Sequence, residues 1–188
     1  MRVSREQANE NREKVLTTAA RLYREHGFTG IGVAEIMKTA GLTHGGFYGQ
    51  FGSKEALMSE VSERALAGSC ELWTQVAEQA PDNPLGAFAA KYLSPAHRDN
   101  PGAGCLLAAL SSDIARSAGP VRQAISAGMA RLVDLFAAAM SGRSKAVRRE
   151  KALAAYAAMV GALVLSRATD DAELSEEILT AVRNSLPH

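Results

Sequence analysis

The chain has 188 residues, of which 47% are hydrophobic and 22% are charged. A chain of this size can bury a substantial core and form one or two small domains. Its formal net charge is only +1 at pH 7, so bulk charge does not mark it as a nucleic-acid-binding protein. The two cysteines, Cys70 and Cys105, exclude a disulfide framework, and neither has a spacing that binds zinc. We therefore expect no metal site and no cofactor.

The N-terminus is polar and lacks the apolar core of a signal peptide. The longest apolar run, residues 152–165, has fourteen residues, which is short for a membrane span and typical of a buried helix. We expect a reduced, soluble, cytoplasmic protein with no membrane partner. Residues 1–54 hold eight Lys or Arg against five acidic residues, whereas residues 55–188 hold thirteen against fifteen. A basic head on an acidic body is compatible with DNA binding by the head.

Apolar residues recur with a helical period nearly everywhere, and no run alternates as a strand does. We predict an all-α protein of about nine helices. The predicted helices cover about 6–26, 33–40, 44–51, 54–79, 84–93, 105–116, 119–141, 144–167 and 170–186. The predicted domains are 1–54, a three-helix DNA-binding domain, and 55–188, a helical effector-binding and dimerisation domain that begins with the fourth helix.

Helix boundaries follow from capping residues. Gly27 is expected to end the first helix, and Thr43, Ser53 and Asn83 to cap the third, fourth and fifth. Asp170 gives the last helix a start like a capping box. Residues 94–104 are rich in Pro, Gly and Asn, so we predict a loop there.

The segment 33–51, VAEIMKTAGLTHGGFYGQF, predicts a helix-turn-helix. Gly41 falls at the turn between two short helices, where a positive φ is often needed. Apolar residues for the core between these helices are Ile36, Ala40, Leu42 and Phe47. In such a motif the second helix enters the major groove with its N-terminus first. Gly45 and Gly46 are poor residues for a helix, and close approach to a DNA strand would explain them; the alternative is a loose loop with incidental glycines.

Two stretches resemble the TetR family of regulators. Residues 41–57, GLTHGGFYGQFGSKEAL, are similar to its recognition helix and the start of its fourth helix. Residues 13–36, EKVLTTAARLYREHGFTGIGVAEI, are similar to its first helix and turn. The close match covers about residues 10–60, and the remainder is similar only in length and helical content.

The resemblance implies a set of DNA-contacting residues: Thr43, His44, Gly45, Gly46, Tyr48, Gln50 and Lys54. Thr43 and His44 would face the bases, the two glycines would lie near the DNA backbone, and the last three would contact phosphates. Gly32 departs from the family pattern, which offers Ser or Thr there to cap the second helix and contact phosphate. Without that contact, DNA affinity would depend more on Tyr48, Lys54 and an N-terminal arm containing Arg2 and Arg5.

A helix that is apolar almost all round, such as 144–167, must be covered on every side. A partner subunit is the expected cover, since one recognition helix contacts too few base pairs; the alternative is a purely internal core helix. The resemblance implies a homodimer through the last two helices. The candidate interface residues are Leu153, Tyr156, Ala157, Val160, Leu163, Leu174, Ile178 and Val182.

We expect an effector pocket enclosed by the predicted fourth to eighth helices, for an apolar or weakly polar ligand, because few charged residues fall on inward faces. Its candidate lining residues, each of which could instead be ordinary core, are Trp73, Phe88, Tyr92, Leu106, Leu110 and Phe136. Cys105 lies at the start of a predicted helix, where the dipole favours a thiolate and so reactivity with electrophiles or oxidants. The alternative is that Cys105 is a small buried hydrophobic residue.

The resemblance therefore implies a repressor that a small-molecule effector releases from double-stranded operator DNA, or, as the alternative, a thiol-based sensor using Cys105. Two other classes compete with it. An all-helical enzyme would need catalytic groups, but His97, Asp99 and Asp113 lack the required spacing, so we expect no enzyme. The second class is a protein–protein adaptor that has lost DNA binding, an interpretation that Gly32 favours.

Overall fold

The computed structural model describes residues 4–186, and within that range the chain forms ten α-helices and no strand. The helices are α1 (Arg5–Gly30), α2 (Val33–Thr39), α3 (Phe47–Phe51), α4 (Lys54–Gln79), α5 (Pro84–Tyr92), α6 (Pro95–Arg98), α7 (Leu106–Arg116), α8 (Gly119–Ala138), α9 (Lys145–Ala168) and α10 (Ala172–Ser185). Short 3-10 helices cover His44–Gly46 and Pro101–Ala103. The all-α prediction is confirmed. We call α1–α3 the head and α4–α10 the body.

The long helix α4 connects the head with the body. It packs against α1 and α3 of the head and against α5 and α8 of the body. Helix α9 packs on α8 and α10, while α7 contacts both α1 and α9. A continuous set of buried apolar side chains runs from the head into the body. The head therefore does not hang from a flexible linker.

Two capping predictions are confirmed. The Ser53 hydroxyl accepts from Ala56 N at 3.0 Å, and Asn83 Oδ1 accepts from Gly86 N at 2.9 Å. Both side chains satisfy a donor that the first turn of a helix leaves unpaired.

Two other capping predictions are wrong. The Thr43 side chain makes no capping bond, because the segment begins as a 3-10 turn in which the Thr43 carbonyl accepts from Gly46 N. The last helix begins one residue later than predicted: the carboxylate of Asp171, not Asp170, accepts from two backbone amides of its first turn.

The predicted loop 94–104 contains α6 and a 3-10 turn. Prolines are tolerated in a first helical turn, so the Pro-rich composition does not prevent these elements. Ser94 Oγ caps the start of α6 by accepting from His97 N at 3.2 Å. At its end Arg167 of α9 donates to the carbonyls of His97, at 2.6 Å, and Arg98, at 2.9 Å. The loop is therefore held against α9.

Helix α1 kinks at Gly27, which has φ 79° and ψ 166°. Just after the kink, Phe28 N donates to Asp113 Oδ2 of α7 at 2.7 Å. A Cβ on Gly27 would lie 2.7 Å from the same oxygen. The backbone conformation and the close approach thus both require glycine, and the end of the head's first helix is bonded to the body.

An ion-paired cluster links the other half of α1 to α4. Arg12 donates to both carboxylate oxygens of Glu60, at 2.5 and 2.6 Å, and Arg64 donates to Glu13 at 2.6 Å. The bidentate geometry is the stronger kind of charge-assisted bond. These bonds fix the direction of α1 relative to α4.

Helix α9 is long and apolar enough to cross a membrane by length and composition alone, but core helices of soluble proteins meet the same criterion. Its inner face holds Tyr156 and Leu163, which are 5% and 0% exposed. The prediction that these two residues face a partner subunit is wrong, because they pack into the protomer's own core.

We expect Gly27→Ala to lower the free energy of unfolding by about 1–3 kcal/mol, because alanine strongly disfavours this backbone conformation. Gly30→Ala is the matched control: its Cβ would meet only His26 Cβ, at 3.5 Å, and its φ is not positive. The control should leave stability unchanged or slightly raised. Urea denaturation of both variants checks this, and equal losses would contradict the assigned role of Gly27.

Candidate functional site

The recognition segment, residues 43–51, is positioned by two buried aromatic side chains. Phe47 is fully buried and Phe51 is 7% exposed, with their ring centroids 5.4 Å apart. Tyr48, between them, is 61% exposed, the largest value among the exposed large apolar residues of the described chain. The core therefore anchors one side of this segment and directs Tyr48 to solvent.

The four residues before Phe47 form an open surface. Thr43, His44, Gly45 and Gly46 are all exposed, and the His44 and Tyr48 rings lie 5.9 Å apart. A Cβ on Gly45 or Gly46 would meet nothing within 4 Å. Packing inside the protein thus does not require these glycines, and the surface they leave is free for close approach by a partner.

Lys54 and Gln50 are less free than the sequence suggested. Lys54 is half-buried, and its Nζ donates to the Ile31 carbonyl at 2.6 Å. Burial lowers the pKa of this ammonium group. Gln50 is also half-buried, and within residues 4–186 its Oε1 has no hydrogen-bond partner. Lys54 therefore ties the start of α4 to the chain just after α1.

Gly32 occupies the N-cap position of α2 and provides no side-chain cap. It is exposed, its φ is −93°, and a Cβ there would meet nothing within 4 Å. Of the predicted N-terminal arm, Arg5 is exposed at the start of α1, and Arg2 lies outside the described residues.

The body contains a cavity of about 520 Å³ between α1, α4, α5, α9 and the segment 94–105. Trp73 and Tyr92 line it as predicted. The other four predicted lining residues are 0–2% exposed and belong to the core beside it: Phe88, Leu106, Leu110 and Phe136. The prediction is wrong for these four residues because the core takes them up. Phe88 packs on Phe136, with 4.8 Å between centroids, and Leu106 and Leu110 belong to the same cluster of buried apolar side chains.

Sequence reasoning missed Arg24, His97 and Tyr156, which also line the cavity. Tyr156 stacks near Phe136, with centroids 5.2 Å apart. Burial, and secondarily the nearby Cys105, raise the pKa of both Tyr92 and Tyr156. Both phenols therefore stay neutral.

His97 holds the segment that carries Cys105. Its Nδ1 donates to the Tyr92 carbonyl at 2.8 Å, and its Nε2 accepts from Cys105 N at 2.9 Å. This pair of bonds requires a neutral imidazole with the proton on Nδ1, and burial lowers the His97 pKa accordingly. A Cβ on Gly104 would lie 2.9 Å from the ring, which excludes larger residues there. Half-buried Cys105 thus faces the cavity at the start of α7.

The cavity is more cationic than predicted. Arg24, Arg64 and Lys91 line it, and within residues 4–186 no acidic side chain does. Arg24 comes from the head's helix α1, so head and body share this cavity. The sequence held no signal for that, because Arg24 is far from the other lining residues along the chain.

Comparison with known proteins places this geometry in a family. The family model described as bacterial regulatory proteins, tetR family, matches residues 15–61. The HTH-type transcriptional repressor NemR of Escherichia coli K12 is 28% identical over 186 residues, covering 94% of each chain. The crystal structure of E. coli NemR in its reduced form superposes with a TM-score of 0.78 at 27% identity, covering 95% of this chain and 98% of that one.

A TetR-family regulator from Agrobacterium tumefaciens has a TM-score of 0.81 at 18% identity, covering 96% of this chain and all of the other. At that identity the likeness concerns the fold alone. The fold, the exposed recognition segment and the full-length relative agree: residues 15–61 are a DNA-binding domain of the tetR family of bacterial regulatory proteins, and the chain over its length is similar to a transcriptional repressor.

Proposed function

We propose that this protein is a cytoplasmic transcriptional repressor that binds operator DNA as a dimer and is released by a small molecule bound in the body cavity. The observation that carries the proposal is the recognition segment. Its core side is filled by Phe47 and Phe51, while its exposed side presents Tyr48, a ring nitrogen of His44 and open backbone. Those are the features a major groove and its phosphates accept.

The contacts divide by role. The Tyr48 hydroxyl is placed to donate to a phosphate, and Lys54 keeps ammonium hydrogens beyond the one bonded to Ile31. Thr43 and His44 are the candidates for reading base edges, since they open the segment that enters the groove first. Phosphate contacts set position and affinity, so base specificity rests on few side chains.

We expect Tyr48→Phe to weaken binding to duplex DNA about tenfold, because a hydrogen bond to a charged phosphate is lost. Tyr23→Phe is the matched control: its hydroxyl is buried in the head core and has no partner within the described chain. The control should bind DNA like the unmodified protein. Fluorescence anisotropy at two salt concentrations measures both, and salt-insensitive binding would contradict a phosphate-contacting interface.

The dimer proposal rests on the outer face of α9 and α10. One stripe of α9 is exposed and contains Leu153, Ala157 and Val164. Only 39% of the most apolar 18-residue stretch of this helix is buried in the protomer. Leu174 of α10 is 45% exposed. Val160, Ile178 and Val182 are half-buried beside these residues. A continuous apolar face of two long helices is a surface that a second copy covers.

We expect Val164→Glu to shift the protein from dimer to monomer at micromolar concentration, because a charge would be buried against the partner. Met129→Glu is the control: Met129 is 38% exposed, against 39% for Val164, but lies on α8. Sedimentation velocity should show a dimer for the control. A dimer for both variants would overturn the assignment of this face.

A second candidate function uses Cys105 as a covalent sensor. The observation that favours it is that the Cys105 thiol lies in the same cavity as Arg24, which is positioned to stabilise a thiolate. A solved relative described as a reduced form agrees with thiol-dependent regulation. In this mechanism the thiolate adds to the terminal carbon of an activated alkene. An S–C bond forms as the C=C π bond breaks, and the adjacent carbon takes a proton from water. The resulting hydroxide is neutralised by the proton that the thiol released.

We expect acrylamide to modify Cys105 faster than Cys70, because burial raises the pKa of the Cys70 thiol. The adduct adds the mass of one acrylamide and should lower duplex affinity, and Cys105→Ser should abolish this effect. Cys70→Ser is the control and should respond like the unmodified protein. Intact-mass spectrometry measures the adduct, and fluorescence anisotropy measures duplex affinity. Equal reaction at both cysteines, or full DNA binding by the adduct, would contradict the proposal that Cys105 is a sensor.

A further inference from the structure

Arg24 is a half-buried cation that forms no ion pair with a carboxylate within residues 4–186. Its Nη1 donates to the Ala20 carbonyl at 2.8 Å, while its Nε is buried and has no partner within residues 4–186. Burial lowers its pKa, which reflects the cost of a charge that nothing neutralises. A buried charge of this kind is normally paired or hydrogen-bonded.

The space beside Arg24 has a positive potential. A second cavity of about 450 Å³ adjoins the first, and both are lined by Arg24, Arg64, Ala65 and Ala103. Arg21 and Lys91 add further positive charge at the two ends, and within the described chain neither cavity has an acidic lining residue. Arg21 and Arg64 are paired with glutamates, so among the three lining arginines Arg24 is the one with no carboxylate partner within residues 4–186.

Part of the wall is apolar and aromatic. Leu72, Trp73, Tyr92 and Tyr156 line the larger cavity. The Arg24 guanidinium lines both cavities, and a guanidinium suits an oxyanion, which accepts charge-assisted hydrogen bonds from it. The walls suit the hydrocarbon part of the same molecule.

We infer that the effector is a small organic anion whose charged group pairs with Arg24 and whose apolar body packs on Trp73. This inference rests on the proposed function, because it names the effector class of that cavity. It also assigns a route for the signal. Arg24 belongs to helix α1 of the head, so an anion bound there acts directly on the part of the protein that contains the recognition segment.

The test uses anilinonaphthalene sulfonate, a fluorescent aromatic anion, and N-phenylnaphthylamine, its uncharged counterpart. Trp73 is the single tryptophan, so quenching of its fluorescence reports occupancy of this cavity. We expect Arg24→Gln to weaken binding of the anion at least about tenfold and to change binding of the neutral dye less than about twofold. Arg24→Lys keeps the charge and should restore most of the affinity, provided that both variants melt like the unmodified protein.

Arg122→Gln is the control, since Arg122 is exposed on α8 away from both cavities. The anion should also lower the duplex affinity of the unmodified protein and leave that of Arg24→Gln unchanged. Equal weakening of both dyes, no weakening of either, or unchanged duplex affinity in the presence of bound anion would overturn the inference. Failure of the ligand-free protein to bind duplex would refute the proposed function instead. The two failures are distinguishable, because dye binding tests the Arg24 site without any DNA.

Discussion

The structure depends on one constraint: the end of the first helix of the head is hydrogen-bonded to the body. The kink at Gly27 turns the chain so that Phe28 N bonds Asp113 of α7, and Lys54 bonds the Ile31 carbonyl a few residues later. Arg12 and Glu60 fix the opposite half of the same helix to α4. Head and body share these bonds, which connect the body to the part of the chain that contains the recognition segment.

The position of the cavity follows from this arrangement. Its wall combines α1, α4, α5 and α9 with the segment that α9 holds through Arg167. Three of these elements continue toward functional surfaces: α1 and α4 toward the head, and α9 toward the proposed dimer face. In the proposed switch, a ligand that draws Arg24 inward alters the angle between α1 and α4. In a dimer, that changes the separation of the two recognition segments, which must match the DNA repeat to bind together.

Much of this could be predicted from local patterns. Helical periodicity located most of the helices, and Ser53 and Asn83 marked the starts of two of them. The helix-turn-helix pattern placed Phe47 in the core, and the family resemblance placed Tyr48 on the surface that contacts phosphate. The segment 94–104 failed as a prediction because its helix is stabilised by Arg167, a residue about seventy positions away. Arg24 and Tyr156 were missed for a related reason. Periodicity shows which face of a helix is apolar, but not which neighbour that face meets, so a cavity wall built from distant helices leaves no local signal.

Pulsed electron paramagnetic resonance between the two protomers tests the link between cavity and head most directly. A nitroxide on Lys38→Cys, exposed on α2, would report the separation of the heads in a Cys70→Ser, Cys105→Ala background. Addition of anilinonaphthalene sulfonate should displace the distance distribution, and Arg24→Gln should abolish that displacement. An identical distribution with and without the bound anion would contradict the coupling of cavity and recognition segment through α1.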